Sequence, residues 1–189
     1  MYLFINTETS GLPRNWKAPM HELSAWPRLV QIAWQYYDEN GEQLDSKNYL
    51  IKPDRFTIPR GISRMHGITT EMAQENGVDL PDVLQELNDV VEKTYYVVAF
   101  NMTLVDNVVG AEFIRKKIHN KILSREKIYL MEKTIKFCEI IGPYGYRRPK
   151  LYELYYKVFD NKLSEIHNID TDLDATVQCF FELKKQSII

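Results

Sequence analysis

Met1-Tyr2-Leu3-Phe4-Ile5-Asn6-Thr7-Glu8-Thr9-Ser10-Gly11 opens with a short apolar run, Tyr2 to Ile5, that turns polar at once. An unbroken apolar run of this length, with no polar alternation, reads as a strand buried on both faces. Its polar continuation then stands at the edge of a core. Side chains two apart on a strand point the same way, so Asn6 and Glu8 share a face.

Outward from this stretch, Leu12 to Pro27 carries Pro13, Pro19, Pro27, Trp16 and Trp26 and reads as a long surface loop. Long ordered loops are often functional. Leu29 to Tyr37 reads as a second strand, and Asp38-Glu39-Asn40-Gly41 as a hairpin turn, because Asn-Gly supplies the positive φ angles it needs. The return strand runs to about Ile51, completing an antiparallel meander. Ile58 to Gly77 reads as short helices around His66-Gly67-Ile68-Thr69. Val83, Leu84, Leu87, Val90 and Val91 recur at helical spacing and mark an amphipathic helix over Leu80 to Lys93. Thr94 to Phe100 is β-branched and aromatic, hence a buried strand, and Asn101 is placed to cap a helix running to about Ile118. Ile128 to Met131 reads as one more strand, and Lys150 to Phe159 and Thr171 to Lys185 as helices. The order β-β-β-α-β-α-β-α-α predicts a mixed sheet, a three-stranded antiparallel meander plus parallel strands, flanked by helices.

The 189 residues suit one domain, residues 1–189, large enough to bury a core without staples. Cys138 and Cys179 lack the spacing of a zinc or redox motif and are expected reduced. No run has the length of a membrane span and no leader pattern opens the chain, so a cytoplasmic protein is expected. A net charge of −2 argues against a protein that coats long nucleic acid, and leaves open one that grips a strand end through few phosphates.

Three separated segments carry a resemblance. Asn6-Thr7-Glu8-Thr9-Ser10-Gly11-Leu12 resembles D-x-E-T-(T/S)-G-L. Phe100-Asn101-Met102-Thr103-Leu104-Val105 falls on H-N-x-x-F-D, and His167-Asn168-Ile169-Asp170-Thr171-Asp172 on H-N-A-x-x-D. In this order they resemble the DnaQ-type (DEDDh) 3′–5′ exonucleases. His66-Gly67-Ile68-Thr69 is a segment common in that family. Gly142-Pro143-Tyr144-Gly145-Tyr146 before Pro149-Lys150-Leu151, with the Trp- and Pro-containing loop, resembles a bacterial subgroup. The resemblance implies a ribonuclease H-like α/β fold.

It also implies a chemistry. Two hard cations, Mg²⁺ or Mn²⁺, sit about 3.5–4 Å apart and clamp the attacking and leaving oxygens of a phosphodiester. Such ions take oxygen ligands, so acids converge on them from separate elements. On the family pattern the position of Asn6 bridges both metals, Glu8 and Asp172 complete one shell, the position of Val105 supports the second metal, and His167 is the general base. The sequence departs from the pattern at Asn6, Phe100 and Val105. An amide offers one neutral carbonyl oxygen where a carboxylate offers two and a charge, and Val105 cannot bind metal. Asp106 substitutes for Val105 only if the helix start rotates, since one residue is about 100° of turn. Three departures in two motifs point to decay or redirection of the site.

The resemblance therefore implies catalytic positions at His167, Glu8, Asp172 and Asn6, metal ligands drawn from Glu8, Asp172, Asn6 and Asp106, and reduced affinity for Mg²⁺ or Mn²⁺. Nucleic-acid contacts are expected from Thr9, Gly11, Leu12, Asn101, Tyr144 and Arg147. Arg14, Lys17, Arg148 and Lys150 are further candidates for phosphate contacts, and Tyr146 with Trp16 or Trp26 for stacking on bases, unless these are ordinary surface composition. The expected partners are single-stranded DNA or RNA 3′ ends, cleaved weakly or not at all. The alternative is a non-catalytic module that holds a strand end or a protein partner.

Overall fold

The computed structural model describes residues 1–163 and 168–189. β1 (Tyr2–Thr9), β2 (Leu29–Tyr37), β3 (Gln43–Leu50), β4 (Tyr96–Ala99) and β5 (Glu126–Tyr129) form one sheet in the order β3-β2-β1-β4-β5. The β1/β2 and β2/β3 pairs are antiparallel, and β1/β4 and β4/β5 are parallel. This is the mixed sheet that the residue pattern predicts, and it has the ribonuclease H-like arrangement that the resemblance implies. The Asp38–Gly41 turn forms, with Asp38 Oδ1 accepting from the backbone N–H of Asn40 and Glu42; Gly41 takes φ +88°, whereas Asn40 does not take the positive φ expected of it.

The helices are α1 (Arg60–His66), α2 (Thr70–Asn76), α3 (Leu80–Glu92), α4 (Met102–Lys116), α5 (Leu130–Lys133), α6 (Ile135–Cys138), α7 (Leu151–Phe159) and α8 (Ile169–Lys185). Alternation along β1 divides the core. Leu3 and Ile5 pack with Leu84, Leu87, Met102 and Val108 of α3 and α4. Tyr2 and Phe4 pack with Leu154 of α7 and Leu173, Val177 and Phe180 of α8. A smaller cluster of Val30, Ile58, Ile68 and Ala73 holds α2 and its flanking loops. Both cysteines are buried on the α7/α8 side, and burial pushes the Cys179 thiol up to about 12.

The structure departs from the sequence reading in several places. The strand expected at Ile128–Met131 is β5, Glu126–Tyr129, and Leu130 is buried from a helical turn instead. The backbone N–H of Met131 still donates to Phe100 O at 3.1 Å, which ties that turn to the end of β4. α8 begins at Ile169, because the Asn168 side chain accepts from the backbone N–H of Asp170 and Thr171. A hairpin of β6 (Ile141–Gly142) and β7 (Gly145–Tyr146) was not read in advance. Trp26 is only 3% exposed, with its indole N–H on Pro19 O, so it is a core anchor and not a base-stacking side chain.

The Leu12–Pro27 loop is held by a buried ionic cluster. Glu112 of α4 is fully buried. It accepts from Arg28 Nε at 2.7 Å, Arg115 Nη1 at 3.0 Å and the backbone N–H of Leu29 at 3.2 Å. Arg115 in turn donates to Leu23 O and Trp26 O. Burial pulls the Arg115 guanidinium below its ordinary pKa, the Glu112 charge opposes that, and Arg28 adds to it. Directly after β1, the Ser10 backbone N–H donates to Arg28 O, and the Arg28 backbone N–H donates to Ser10 Oγ. Removing the carboxylate leaves two cations and an amide unpaired. Glu112→Ala is expected to lower stability by about 3 kcal/mol, a fall of roughly 6–12 °C in Tm by calorimetry. Glu112→Gln, which keeps an acceptor, should lose less.

Candidate functional site

The C-terminal ends of β1 and β4 open into a cleft of about 1060 Å³. Asn6 comes from β1, and Phe100 and Asn101 from the end of β4. Met131 and Cys138 come from the α5/α6 turns, and Asp172 and Thr176 from α8. Lys150, Leu151, Tyr152, Tyr156 and Lys157 of α7 and its cap form the opposite wall.

The strand geometry places Asn6 by alternation. Phe4 faces α8, so Asn6, two residues on, faces the start of the same helix. Its amide is engaged on both sides. Nδ2 donates to Ile169 O at 3.4 Å, and Oδ1 accepts from the backbone N–H of Thr7 at 2.9 Å. A carboxylate here would put an acceptor against the Ile169 carbonyl, so the amide acts as a tie between β1 and α8. Glu8 shares Asn6's face of β1 at the strand end, half-buried, opposite Gln31.

Three acids crowd the first turns of α8, and the structure sorts them. Both oxygens of Asp170 accept from Asn48 Nδ2, at 2.9 and 2.8 Å. Asp174 Oδ1 accepts from Gln35 Nε2 at 2.6 Å. Those two tie α8 to β3 and β2, and it is Asp172 that lines the cleft. The family register picks the same residue from the three. His167 lies outside the described residues.

The second motif comes out differently. Asn101 caps α4, accepting from Leu104 N at 3.3 Å, and lines the cleft. Val105 is 4% exposed and packs into the α3/α4 core. Asp106 is not brought to the cleft. Both its oxygens accept from Lys127 Nζ of β5 at 2.8 Å, and its side chain is 12% exposed. A helix rotation that freed it would have to break that pair.

Of the expected strand contacts, Asn101 lines the cleft, and Thr9, Gly11, Leu12, Tyr144 and Arg147 do not. Thr9 Oγ1 donates to Gly11 O at 2.7 Å, which closes the turn after β1, and Leu12 is 74% exposed. His66, on α1, is close enough to Thr9 for the Thr9 carbonyl to act on it. Burial holds the imidazole below its ordinary pKa, and that carbonyl opposes the shift. Tyr144 stands fully exposed at the tip of the β6–β7 hairpin. Arg147 is bound by both its terminal nitrogens to Glu153, at 2.9 and 2.6 Å, and Arg148 by Nε to Glu132 at 3.3 Å. Sequence reasoning missed Met131, Tyr152, Tyr156, Lys157 and Thr176. The available signal was the placing of Tyr152 and Tyr156 one helical turn apart.

No group of three or more His, Cys, Asp and Glu able to hold a metal ion occurs among the described residues. With the Asn6 amide engaged, Val105 apolar and Asp106 held by Lys127, these positions do not fit a pair of hard cations. Asp172 lines the cleft, and Glu8 is not among its lining residues. Nor is any helix of the described residues long and apolar enough to cross a membrane.

No family model and no curated protein matches the chain. Solved structures do. E. coli exonuclease I in complex with a dT13 oligonucleotide superposes with a TM-score of 0.73 at 19% identity, over 97% of this chain and 40% of that one. The zinc-bound form of the E. coli exonuclease I–ssDNA complex gives 0.72 at 18%, over 98% and 40%. A moderately thermophilic exonuclease I from Methylocaldum szegediense gives 0.71 at 16%, over 98% and 40%. The chain thus spans about two-fifths of the length of these enzymes, and what it shares with them at such identity is the fold, ribonuclease H-like.

Proposed function

We propose that this chain holds the ends of single-stranded nucleic acid in the cleft between β1, α7 and α8, and that it hydrolyses phosphodiesters weakly or not at all. One observation carries the reading. Asp172 and the Asn101 cap both line the cleft, while Val105 is buried in the α3/α4 core and Asp106 is paired with Lys127. Exonuclease I, whose fold the chain shares, has been crystallised with single-stranded oligonucleotides. Strand-end binding here, the 3′ end included, follows from likeness and from the chemistry of the cleft wall. The residues expected to meet a strand at the cleft mouth are the Thr9-Gly11-Leu12 turn, Asn101 and Tyr144. Arg147 contributes only if it leaves Glu153.

Two outcomes test the catalytic half. Titration with Mn²⁺ should reveal no more than one well-bound ion per chain, lost on Glu8→Gln or Asp172→Asn. Two tight sites, with Asp106→Asn abolishing one, would show that α4 rotates and that a two-metal centre assembles. Measured on single-stranded DNA with Mg²⁺, turnover should be far below that of an intact exonuclease, since the bridging charge that the transition state needs is absent.

Rebuilding the acids should bring the chemistry back. In Asn6→Asp/Val105→Asp the four-acid pattern is restored. The buried carboxylate at position 105 costs stability in chelator, so Tm should fall there and recover on Mn²⁺ addition by linkage. Metal-dependent 3′–5′ cleavage is expected in the double variant and much less in either single one. Adding His167→Ala should then cost roughly 10²–10⁴ in rate. A double variant that folds and binds two Mn²⁺ ions yet cleaves nothing would mean that the site geometry has drifted, leaving binding as the function.

A further inference from the structure

α7 is amphipathic, with Leu154 fully buried against α8 and Leu151, Tyr155 and Val158 partly buried. The outward side of such a helix is ordinarily polar. Here it carries rings: Tyr152 is 48% exposed, Tyr156 52% and Phe159 36%. Tyr152 and Tyr156 also line the cleft that ends at Asn6 and Asp172. Lysines are interleaved with them. Lys150, Lys157 and Lys162 border the same cleft, and Lys150 Nζ stands 5.6 Å from the centre of the Tyr152 ring. The chain as a whole is net negative, so this concentration of cations beside exposed rings is local.

We propose that Tyr152 and Tyr156, with Lys150, Lys157 and Lys162, form a stacking subsite for the unpaired bases of a single strand, and that it binds them without divalent metal. The proposal rests on the strand-binding reading of the cleft and names the residues that do the binding. Every base has a π-face, so stacking on tyrosine tolerates any sequence. Lysine contributes as a point charge suited to phosphate and brings no fork for reading a base edge. Residues four apart on a helix are separated by about 6 Å along its axis, so the two rings can serve successive bases. A duplex, whose bases are already stacked, has no free face to offer them.

The test is fluorescence anisotropy in chelator, using labelled oligothymidylate, oligouridylate and an abasic strand of equal length. Wild type should bind both base-bearing strands and bind the abasic one much more weakly. The ratio of the first two gives the preference between DNA and RNA. Tyr152→Ala/Tyr156→Ala should lose roughly thirtyfold or more in affinity, and either single alanine variant roughly five- to a hundredfold, while Tyr152→Phe/Tyr156→Phe should bind like wild type. Both positions are solvent-facing, and circular dichroism checks that the fold persists. If the alanine pair binds like wild type, or the abasic strand binds as well as the others, the stacking subsite is wrong while the strand-binding reading stands. Binding that appears only with Mn²⁺ refutes the metal independence. Absence of binding to any strand, with or without Mn²⁺, refutes both proposals.

Discussion

β1 is paired on both edges and covered on both faces. β2 takes one edge over the whole strand and β4 the other over Tyr2 to Phe4. Leu3 and Ile5 fill the α3/α4 layer, and Tyr2 and Phe4 the α7/α8 layer. A strand so enclosed has its backbone groups satisfied by neighbours on each side and cannot slip by one residue without exchanging the two apolar sets. That register fixes everything downstream. The polar residues that follow emerge at one end of the sheet, and Asn6 is directed to the start of α8.

The same constraint explains why neighbouring acids have different fates. α8 lies along β1 and β2, so its first turns pass over polar side chains of the sheet. Gln35 and Asn48 take up Asp174 and Asp170, and those pairs fix the helix in rotation. Asp172 then faces the cleft. On the opposite layer, α4 presents Val105 to the core, and the next position round the helix meets Lys127 at the sheet edge. Apolar packing at position 105 thus goes with an ion pair at position 106.

Much of this was legible in the residues. An unbroken apolar run, an Asn-Gly turn and a helical hydrophobic period gave the sheet and its flanking helices, because each signal is local. The choice of Asp172 over Asp170 and Asp174 came from motif register, and the structure places Asp172 in the cleft. What escaped was set by tertiary contact. Leu130 is apolar and buried, yet from a helical turn, so composition alone misplaced the end of β5. Trp26 is an anchor because Arg115 and Pro19 gather the loop around it, partners remote in sequence or invisible to a period. The cleft wall on α7 was missed for a related reason: whether Tyr152 and Tyr156 face a core or a cleft depends on what stands opposite.

The charge at the cleft links these substitutions to one another. A set of carboxylates that holds two cations repels phosphate when the cations are absent, and within a low-dielectric cleft that repulsion acts at greater strength than in water. An enzyme of that kind grips its substrate through the metal. Here the amide of Asn6 is neutral, Val105 is apolar and Asp106 is neutralised by Lys127. Among the described lining residues, Lys150, Lys157 and Lys162 accompany Asp172 and Glu153, and Glu153 is itself held by Arg147. On the proposed reading, each uncharged residue at a position where the motif has an acid would weaken catalysis and, by the same electrostatics, lower the barrier to a phosphate strand entering without metal. Weak hydrolysis and metal-free access would then be two effects of the same difference in charge, and no separate adaptation of the groove would be required for the second.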